Sequence, residues 1–141
     1  MTFQNPSREE IKALLAHSGN IAVVGLSDKP DRTSYMVSAA MQSRGYRIIP
    51  VNPNADKILG ETCYASLSDI PEPVDIVNVF RRADQTVPVA EEAVKIGAKV
   101  FWLQLDILNE EAGRIASDGG LTVIMDRCIK VEDAILNPRN N

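Results

Sequence analysis

Short apolar runs alternate with amphipathic segments along almost the whole chain, and this alternation limits the fold more than any other feature. The apolar runs have the length of strands and are continuous, as expected for strands that are covered on both faces. Glycine or polar residues separate each run from a segment with helical periodicity. The apolar runs are residues 21–25, 46–51, 74–80, 99–103 and 121–125.

This alternation predicts right-handed βαβ units, which place parallel strands side by side and pack helices against them. We therefore expect an α/β fold with a Rossmann-like, doubly wound and mostly parallel sheet of about five or six strands, with helices on both faces. The expected strand order is 3-2-1-4-5. An irregular stretch near residues 62–64 is expected to hold a further short strand.

Capping residues predict where the helices begin. A hydroxyl or amide side chain before an apolar face can accept a hydrogen bond from the free N–H groups of the first turn. The expected starts of the five helices are Ser7 with a capping box to Glu10, Thr33 or Ser34, Asp84 or Thr86, Asn109, and residue 131.

Length and charge limit the classes of function. The chain has 141 residues, a formal net charge of -4 and 5% aromatic residues. At ~100–200 residues per domain, the length predicts one domain, residues 1–141, without a separate substrate domain. The acidic balance argues against a nucleic-acid partner or an anionic membrane, because both bind basic surfaces. The low aromatic content argues against base stacking.

Cysteine and histidine usage indicates a reducing compartment and no structural zinc. Cys63 and Cys128 are far apart in the sequence, and His17 is the only histidine, so the residues do not form a zinc ligand pattern. The first residues lack a signal-peptide pattern, and no apolar run reaches the ~18–20 residues of a membrane span. We therefore expect a cytoplasmic protein with reduced thiols, as a monomer or a small homo-oligomer.

The loop that follows the first strand, residues 25–34, has the composition of a phosphate site. Ligands of open parallel sheets bind beyond the carboxyl ends of the strands, and the free N–H groups of a helix N-terminus attract phosphate. Only Gly25 is shared with the glycine-rich dinucleotide and P-loop motifs. An ordinary capped loop has a similar composition, so both interpretations are open here. The hydroxyl groups and cations of this loop belong to Ser27, Lys29, Arg32, Thr33 and Ser34.

Three further loops end at the same predicted edge. Asn52 stands where NAD-binding folds carry an acidic residue, which disfavours NAD; its amide could bond a ribose or a base, or form a turn. Arg81 and Arg82 follow the strand at residues 74–80, where they either meet a phosphate or lie on the surface. Gln104 and Asp106 are expected at the rim of the site.

The sequence does not bring a set of catalytic groups together. Trp102 is expected in the core, and Cys128 is either a reactive thiol or a small buried one. His17 lies at the end of the first helix, where a cation is favourable. Asp28 and Asp31 are typical turn residues. Since an acid, a base and a nucleophile are not found together, we do not expect an enzyme.

Six short motifs follow one another in a fixed order: Val24-Gly25-Leu26-Ser27, Pro30-x-Arg32-x-Ser34, Val51-Asn52-Pro53, Val74-Asp75-Ile76-Val77 with Phe80-Arg81, Trp102-Leu103-Gln104 and Asp126-Arg127-Cys128. Each motif is weak alone, but six in order are specific. Together they resemble the single-domain CoA-binding proteins, which are similar to the N-terminal CoA-binding domain of the succinyl-CoA synthetase α subunit. The resemblance covers roughly residues 11–136.

The resemblance implies that CoA lies along the carboxyl edge of the sheet, with its phosphates on the loop of residues 25–34. It places Asn52 and Pro53 beside the adenosine, and Phe80 and Arg81 beside the nucleotide. Gln104 would approach the pantetheine. The complete implied binding set is Gly25, Leu26, Ser27, Lys29, Pro30, Arg32, Thr33, Ser34, Asn52, Pro53, Phe80, Arg81 and Gln104.

The family commonly has glycine where this chain has Asp106, so the resemblance also implies an anionic side chain on the pantetheine path. The catalytic histidine of the synthetase belongs to a different domain, which is not part of this chain. The ligand is therefore expected to be CoA or an acyl-CoA, held in a non-catalytic, regulatory or carrier role.

Two other interpretations are open. The chain could be a redox sensor that binds NADP or another nucleotide, because Asn52 and the arginines permit a 2′-phosphate; the missing glycines count against this. It could also be a protein-interaction module with a vestigial nucleotide pocket, docked to a ligase partner.

Overall fold

The main sheet has five strands in a computed structural model that describes residues 3–139. The strands of the chain are β1 (Asn20–Val24), β2 (Arg47–Val51), β3 (Lys57–Ile58), β4 (Glu61–Thr62), β5 (Ile76–Val79), β6 (Val100–Leu103) and β7 (Thr122–Ile124). The sheet runs β2-β1-β5-β6-β7, and every neighbouring pair is parallel. β3 and β4 form a separate antiparallel hairpin. The Rossmann-like α/β fold is confirmed.

The outer edge of β2 holds only a remnant of a further strand. The predicted order 3-2-1-4-5 is wrong: it places the third predicted strand, residues 74–80, outside β2, whereas β5 lies between β1 and β6. Outside β2 the structure has a single parallel bridge, between Val51 and Tyr64. The N–H of Tyr64 donates to the carbonyl of Pro50 over 3.0 Å. Since both backbone groups of a strand residue face the same side, the missing N–H of Pro50 also faces this outer edge, where a proline costs least.

The five α-helices within residues 3–139 are α1 (Arg8–Ala16), α2 (Thr33–Ser43), α3 (Thr86–Lys95), α4 (Glu110–Asp118) and α5 (Ile129–Leu136). α2, α3 and α4 connect strands, α1 precedes β1 and α5 follows β7. The capping box of Ser7 and Glu10 is confirmed. The cap at Asn109 is confirmed too, and its side chain accepts a hydrogen bond from the N–H of Ala112. The predicted last helix begins two residues too late, because Ile129 already has helical geometry.

The helices divide between the two faces of the sheet. Leu15 of α1, Met41 of α2 and Ile129 of α5 belong to the core on one face. Ala93 of α3 and Ala116 of α4 belong to the core on the other face. Because β1, β5, β6 and β7 each lead into a helix, the N-termini of α2, α3, α4 and α5 all lie towards the carboxyl edge of the sheet.

The free edge of β7 is covered at one end by the segment before α1. The side-chain amide of Asn5 donates to the carbonyl of Met125 over 2.9 Å and accepts from its N–H over 2.8 Å. This pair of bonds replaces those of a neighbouring strand. Among residues 3–139, none of the helices is both long and apolar enough to span a membrane.

Candidate functional site at the carboxyl edge

Gly25 determines the direction of the chain at the end of β1, where the first loop (residues 25–34) begins. Its φ is +86°, and a Cβ at this position would lie 2.3 Å from the carbonyl oxygen of Phe80. A side chain is therefore excluded twice, by the backbone conformation and by the neighbouring strand end. As a result the loop after β1 lies directly against the loop after β5.

The serine hydroxyls predicted to bind a ligand also shape this loop. The Ser34 hydroxyl accepts from the N–H of Ser27 over 3.0 Å, and the Ser27 hydroxyl accepts from the N–H of Lys29 over 3.1 Å. The prediction that Thr33 or Ser34 caps α2 is wrong: the N-cap is Arg32, without a side-chain capping bond. The Ser34 hydroxyl is instead turned back to the loop, which leaves the first turn of α2 without a side-chain acceptor.

Unpaired cations surround this helix N-terminus. Among the six salt bridges within residues 3–139, none involves Lys29, Arg32 or Arg81. The Nε of Arg81 would lie 3.5 Å from a Cβ on Gly25, so its side chain lies beside the first loop. Arg82, by contrast, pairs with Asp84 on the surface. The structure thus separates the two arginines, and only Arg81 lies at the site.

A cleft of about 460 Å³ opens next to the first loop. Its apolar side is formed by the ends of β1 and β2 and by α3, and its charged lining residues are Arg81, Asp84 and Glu92. This volume falls within the ~300–1,000 Å³ typical of small-molecule sites. Sequence motifs did not indicate most of these residues, which only the order of the strands brings together. They include Ala65, Ser66, Pro88 and Val89, whereas Val24 and Val51 belong to the motifs at residues 24–27 and 51–53.

Asn52 is used to hold two loops together. Its amide Nδ2 donates to the carbonyl of Leu26 over 2.9 Å, and its Oδ1 accepts from the N–H of Asn54 over 2.8 Å. Both ends of the amide therefore have internal partners, and Asn52 forms the turn that was one of its two predicted roles. Pro53, the other residue expected beside the adenosine, is exposed.

Gln104 lies beneath the edge, which corrects its expected place at the rim. It is 4% exposed, and its Oε1 accepts 3.3 Å hydrogen bonds from the Asn78 amide and from the N–H of Ile129. Since a backbone N–H can only donate, the oxygen of the amide must face Ile129. Gln104 therefore connects β5, β6 and the start of α5.

Asp106 is exposed at the rim, as predicted, and its backbone is left-handed, with a φ of 69°. Its N–H donates to the Oδ1 of Asp126 over 2.8 Å, and Asp126 itself has a φ of 57°. Glycine adopts this conformation without strain, and Asp tolerates it better than most residues. This explains why a related chain would carry glycine at the position of Asp106.

The remaining candidate residues lie in the core or at helix ends. Trp102 is fully buried, as predicted, and its Nε1 donates to the carbonyl of Arg127 over 2.8 Å. Cys128 is the half-buried N-cap of α5 and makes no side-chain capping bond. The thiol of Cys63 donates to the carbonyl of Asn52, and burial raises its pKa. His17 caps the C-terminus of α1, as expected.

A larger groove of about 730 Å³ lies elsewhere, beside β7 and α4. Three carboxylates, of Glu10, Glu110 and Glu111, line it together with Arg114. Arg114 is itself paired with Asp118. The excess of negative charge makes this groove unsuited to a polyanionic ligand.

The cleft at the carboxyl edge also has two carboxylates, but Asp84 is paired with Arg82, and Glu92 accepts hydrogen bonds from Ser68. Arg81, by contrast, forms no salt bridge within residues 3–139.

The sequence profile of the CoA binding domain matches residues 19–134, which include every strand of the sheet and the loops that end at its carboxyl edge. The chain belongs to the CoA-binding domain family. This family membership confirms the predicted resemblance and supports a CoA-binding role.

Three relatives illustrate the range of this CoA-binding family. "Uncharacterized protein YneT" of Bacillus subtilis (strain 168) is 58% identical over 133 residues, which are 94% of this chain and 98% of that protein. The solved structure of a hypothetical protein from Pyrococcus horikoshii OT3 is 35% identical, covers 97% of this chain and 99% of its own, and has a TM-score of 0.91.

The third relative is a much longer enzyme. The "Acetate--CoA ligase [ADP-forming] II" of Archaeoglobus fulgidus is 34% identical over 87 residues, which are 60% of this chain. The match spans only 13% of the ligase. The chain is therefore homologous to the CoA-binding region of such ligases.

Proposed function

We propose that this chain binds coenzyme A, or an acyl-CoA, at the carboxyl edge of its sheet. One observation carries the proposal: the N-terminus of α2 has no side-chain cap and is accompanied by Lys29, Arg32 and Arg81, which form no salt bridge within residues 3–139. Free N–H groups and cations without a salt-bridge partner together are what a pyrophosphate and a ribose phosphate require.

The other parts of the ligand follow from the position of the phosphates. The cleft of about 460 Å³ beside β1, β2 and α3 supplies an apolar slot for the adenine. With the adenine on that side, the pantetheine runs the other way, across β5 towards β6 and β7. The backbone of Gly25, Leu26 and Pro30 and the hydroxyl of Thr33 would contact the phosphates, and Phe80 would flank the nucleotide.

The proposed role is non-catalytic, regulatory or carrier, and the binding unit is the single domain of residues 1–141. A cytoplasmic location remains a prediction. If the ligand takes part in chemistry, another chain supplies the reacting groups. The ligase relatives carry out their reaction with a chain of which this domain would be a small part.

Calorimetry with CoA, NADP and NAD tests the proposal. CoA is expected to bind and the two dinucleotides to bind much more weakly. A site filled at 100 times its Kd should also stabilise the fold by ~2.7 kcal/mol in a thermal shift. Binding of NADP in preference to CoA would support a nucleotide sensor instead, and no binding at millimolar CoA would refute the proposal and favour an interaction module.

Two pairs of variants locate the phosphates. Arg32→Ala should weaken CoA binding by about tenfold, because a charge-assisted hydrogen bond is lost, while Lys12→Ala on the exposed side of α1 should leave the affinity unchanged. Arg81→Ala should likewise weaken binding, and its neighbour Arg82→Ala should not. Equal affinities within a pair would remove that arginine from the site.

A further inference from the structure

Exposed apolar side chains are concentrated at one edge of the molecule. Within residues 3–139 the large exposed hydrophobic residues are Met36, Leu105, Leu108, Val131 and Ile135. Leu105 and Leu108 lie in the loop after β6, and Met36 and Val131 lie in the first turns of α2 and α5. Four of the five are thus at the carboxyl edge, although single exposed hydrophobic residues are normally scattered.

The backbone conformation of the loop after β6 keeps the side chain of Leu105 exposed to solvent. The N–H of Ile107 donates to the carbonyl of Gln104 over 3.0 Å and closes a turn with Leu105 at its tip. The left-handed Asp106 is the next residue of this turn, and its N–H is bound by Asp126. Leu105 is 54% exposed at the tip of a turn that is fixed from both sides.

The proposed ligand brings its reactive end to this place, so the inference rests on the proposed function. The adenine cleft adjoins β1 and β2, and the phosphates adjoin β1. Neighbouring strands are ~4.8 Å apart, so β6 lies about 10 Å from β1 across the sheet. A pantetheine arm that leaves the phosphates along the edge would carry its sulfur towards Leu105, Leu108 and Val131.

We propose that the preferred ligand is a thioester with an apolar acyl chain, and that Leu105, Leu108 and Val131 cover this chain. Free CoA would leave the leucines in water. A short dicarboxylic acyl group would place its terminal carboxylate among Asp106, Asp126 and Arg127, where two like charges and one opposite charge give no net attraction. It would also leave the leucines uncovered. The site therefore favours uncharged acyl groups that are long enough to reach the leucines.

Calorimetry with CoA, acetyl-CoA, octanoyl-CoA and succinyl-CoA tests the inference. A fully buried methylene strengthens binding by up to about fourfold, so partial cover of the octanoyl chain should make octanoyl-CoA at least about tenfold tighter than CoA. Succinyl-CoA should bind no more tightly than CoA. The double variant Leu105→Ser, Leu108→Ser should reduce the octanoyl advantage to less than about threefold without changing the Kd for CoA.

Ile135→Ser is the matched control, because Ile135 is as exposed as Leu108 but lies further along α5, away from the edge. This variant should bind octanoyl-CoA more tightly than CoA by the same factor as the unmodified protein does. Equal affinities for CoA and octanoyl-CoA, with CoA bound, would overturn this inference alone and assign the leucines to a protein surface. An octanoyl advantage that survives the double variant would overturn it as well. Failure of every thioester and of CoA to bind would overturn the proposed function together with it.

Discussion

The Oδ1 of Asp126 accepts a 2.8 Å hydrogen bond from the N–H of Asp106, and both residues have left-handed backbones. The bond joins the loop after β6 to the loop after β7 at the edge where the proposed ligand lies. Two strained residues thereby stabilise one another, since each turn is held in place by the other.

Substitution of Asp126 should measure the strength of this link. Asp126→Ala removes the acceptor and places alanine in a left-handed conformation, so we expect a loss of about 2–4 kcal/mol in the free energy of unfolding. Asp126→Asn keeps an acceptor oxygen and tolerates the conformation, so it should lose less than about 1 kcal/mol. Urea unfolding measures both, and a loss in Asp126→Asn as large as that in Asp126→Ala would contradict this account of the link.

Substitution of Asp106 should act on binding rather than on the fold. Asp106→Gly relieves the left-handed strain but makes the unfolded chain more flexible, so we expect a change of at most about 1 kcal/mol in stability. It also removes a carboxylate from the ligand edge, so CoA should bind more tightly in calorimetry. Asp106→Asn removes the charge alone and should give a similar gain. A weaker affinity in both variants would mean that the carboxylate contacts the ligand favourably.

Gly25 and Gly60 form a matched pair for the first loop. Both have a positive φ, but a Cβ on Gly60 would meet nothing within 4 Å, whereas on Gly25 it would meet the Phe80 carbonyl. Gly60→Ala should therefore cost only the conformational strain, about 1 kcal/mol. Gly25→Ala should cost more than about 3 kcal/mol in urea unfolding, or prevent folding. Equal costs would contradict the close approach of the two loops.

Asp75 provides a pH-dependent contribution at the opposite edge of the sheet. Burial alone would raise its pKa, but the N–H groups of Asn20 and Gly19 and the ammonium of Lys99 outweigh this and hold the pKa below its usual value. A depressed pKa in the folded state stabilises the fold above the unfolded pKa of ~3.9, and this stabilisation is lost as the pH falls through the folded pKa.

Asp75→Asn should therefore destabilise the protein at neutral pH by about 1–3 kcal/mol. The difference from the wild type should be constant between about pH 7 and 5, and it should shrink as the pH falls below about 4. Unfolding curves across this range measure it. A difference that grows in acid would mean that the folded pKa is raised instead.

The sequence was sufficient for the strands and helices, because each apolar run contains a buried strand and the amphipathic segments between the runs form helices. It was also sufficient for the edge at which Lys29, Arg32 and Arg81 gather, since parallel topology places those loops together. It was not sufficient for the strand order, because apolar periodicity does not indicate on which side of β1 the strand at residues 76–79 pairs. The sequence does not indicate in which direction a side chain at this edge points. Gln104 has the right position in sequence for a rim residue, but two internal donors turn its amide inward.

The cap of α2 and the cleft were not predicted, for related reasons. Ser34 has the chemistry of a helix cap, and the choice between capping α2 and accepting from Ser27 is decided by the tertiary shape of the loop. Ala65 and Pro88 line the cleft through the order of the strands, without a motif. The positive φ of Asp106 could not be predicted from the sequence either, because aspartate occurs in many backbone conformations.

Chemical-shift mapping of the ¹⁵N-labelled full chain during a CoA titration tests the central claim most directly, because it reports binding and location together. We predict that the largest shifts fall on the backbone amides of residues 25–34 and on Arg81. The groove lined by Glu110 and Glu111 serves as the internal control and should not respond. Shifts confined to that groove, or none at millimolar CoA, would contradict the assignment of a CoA site to the carboxyl edge.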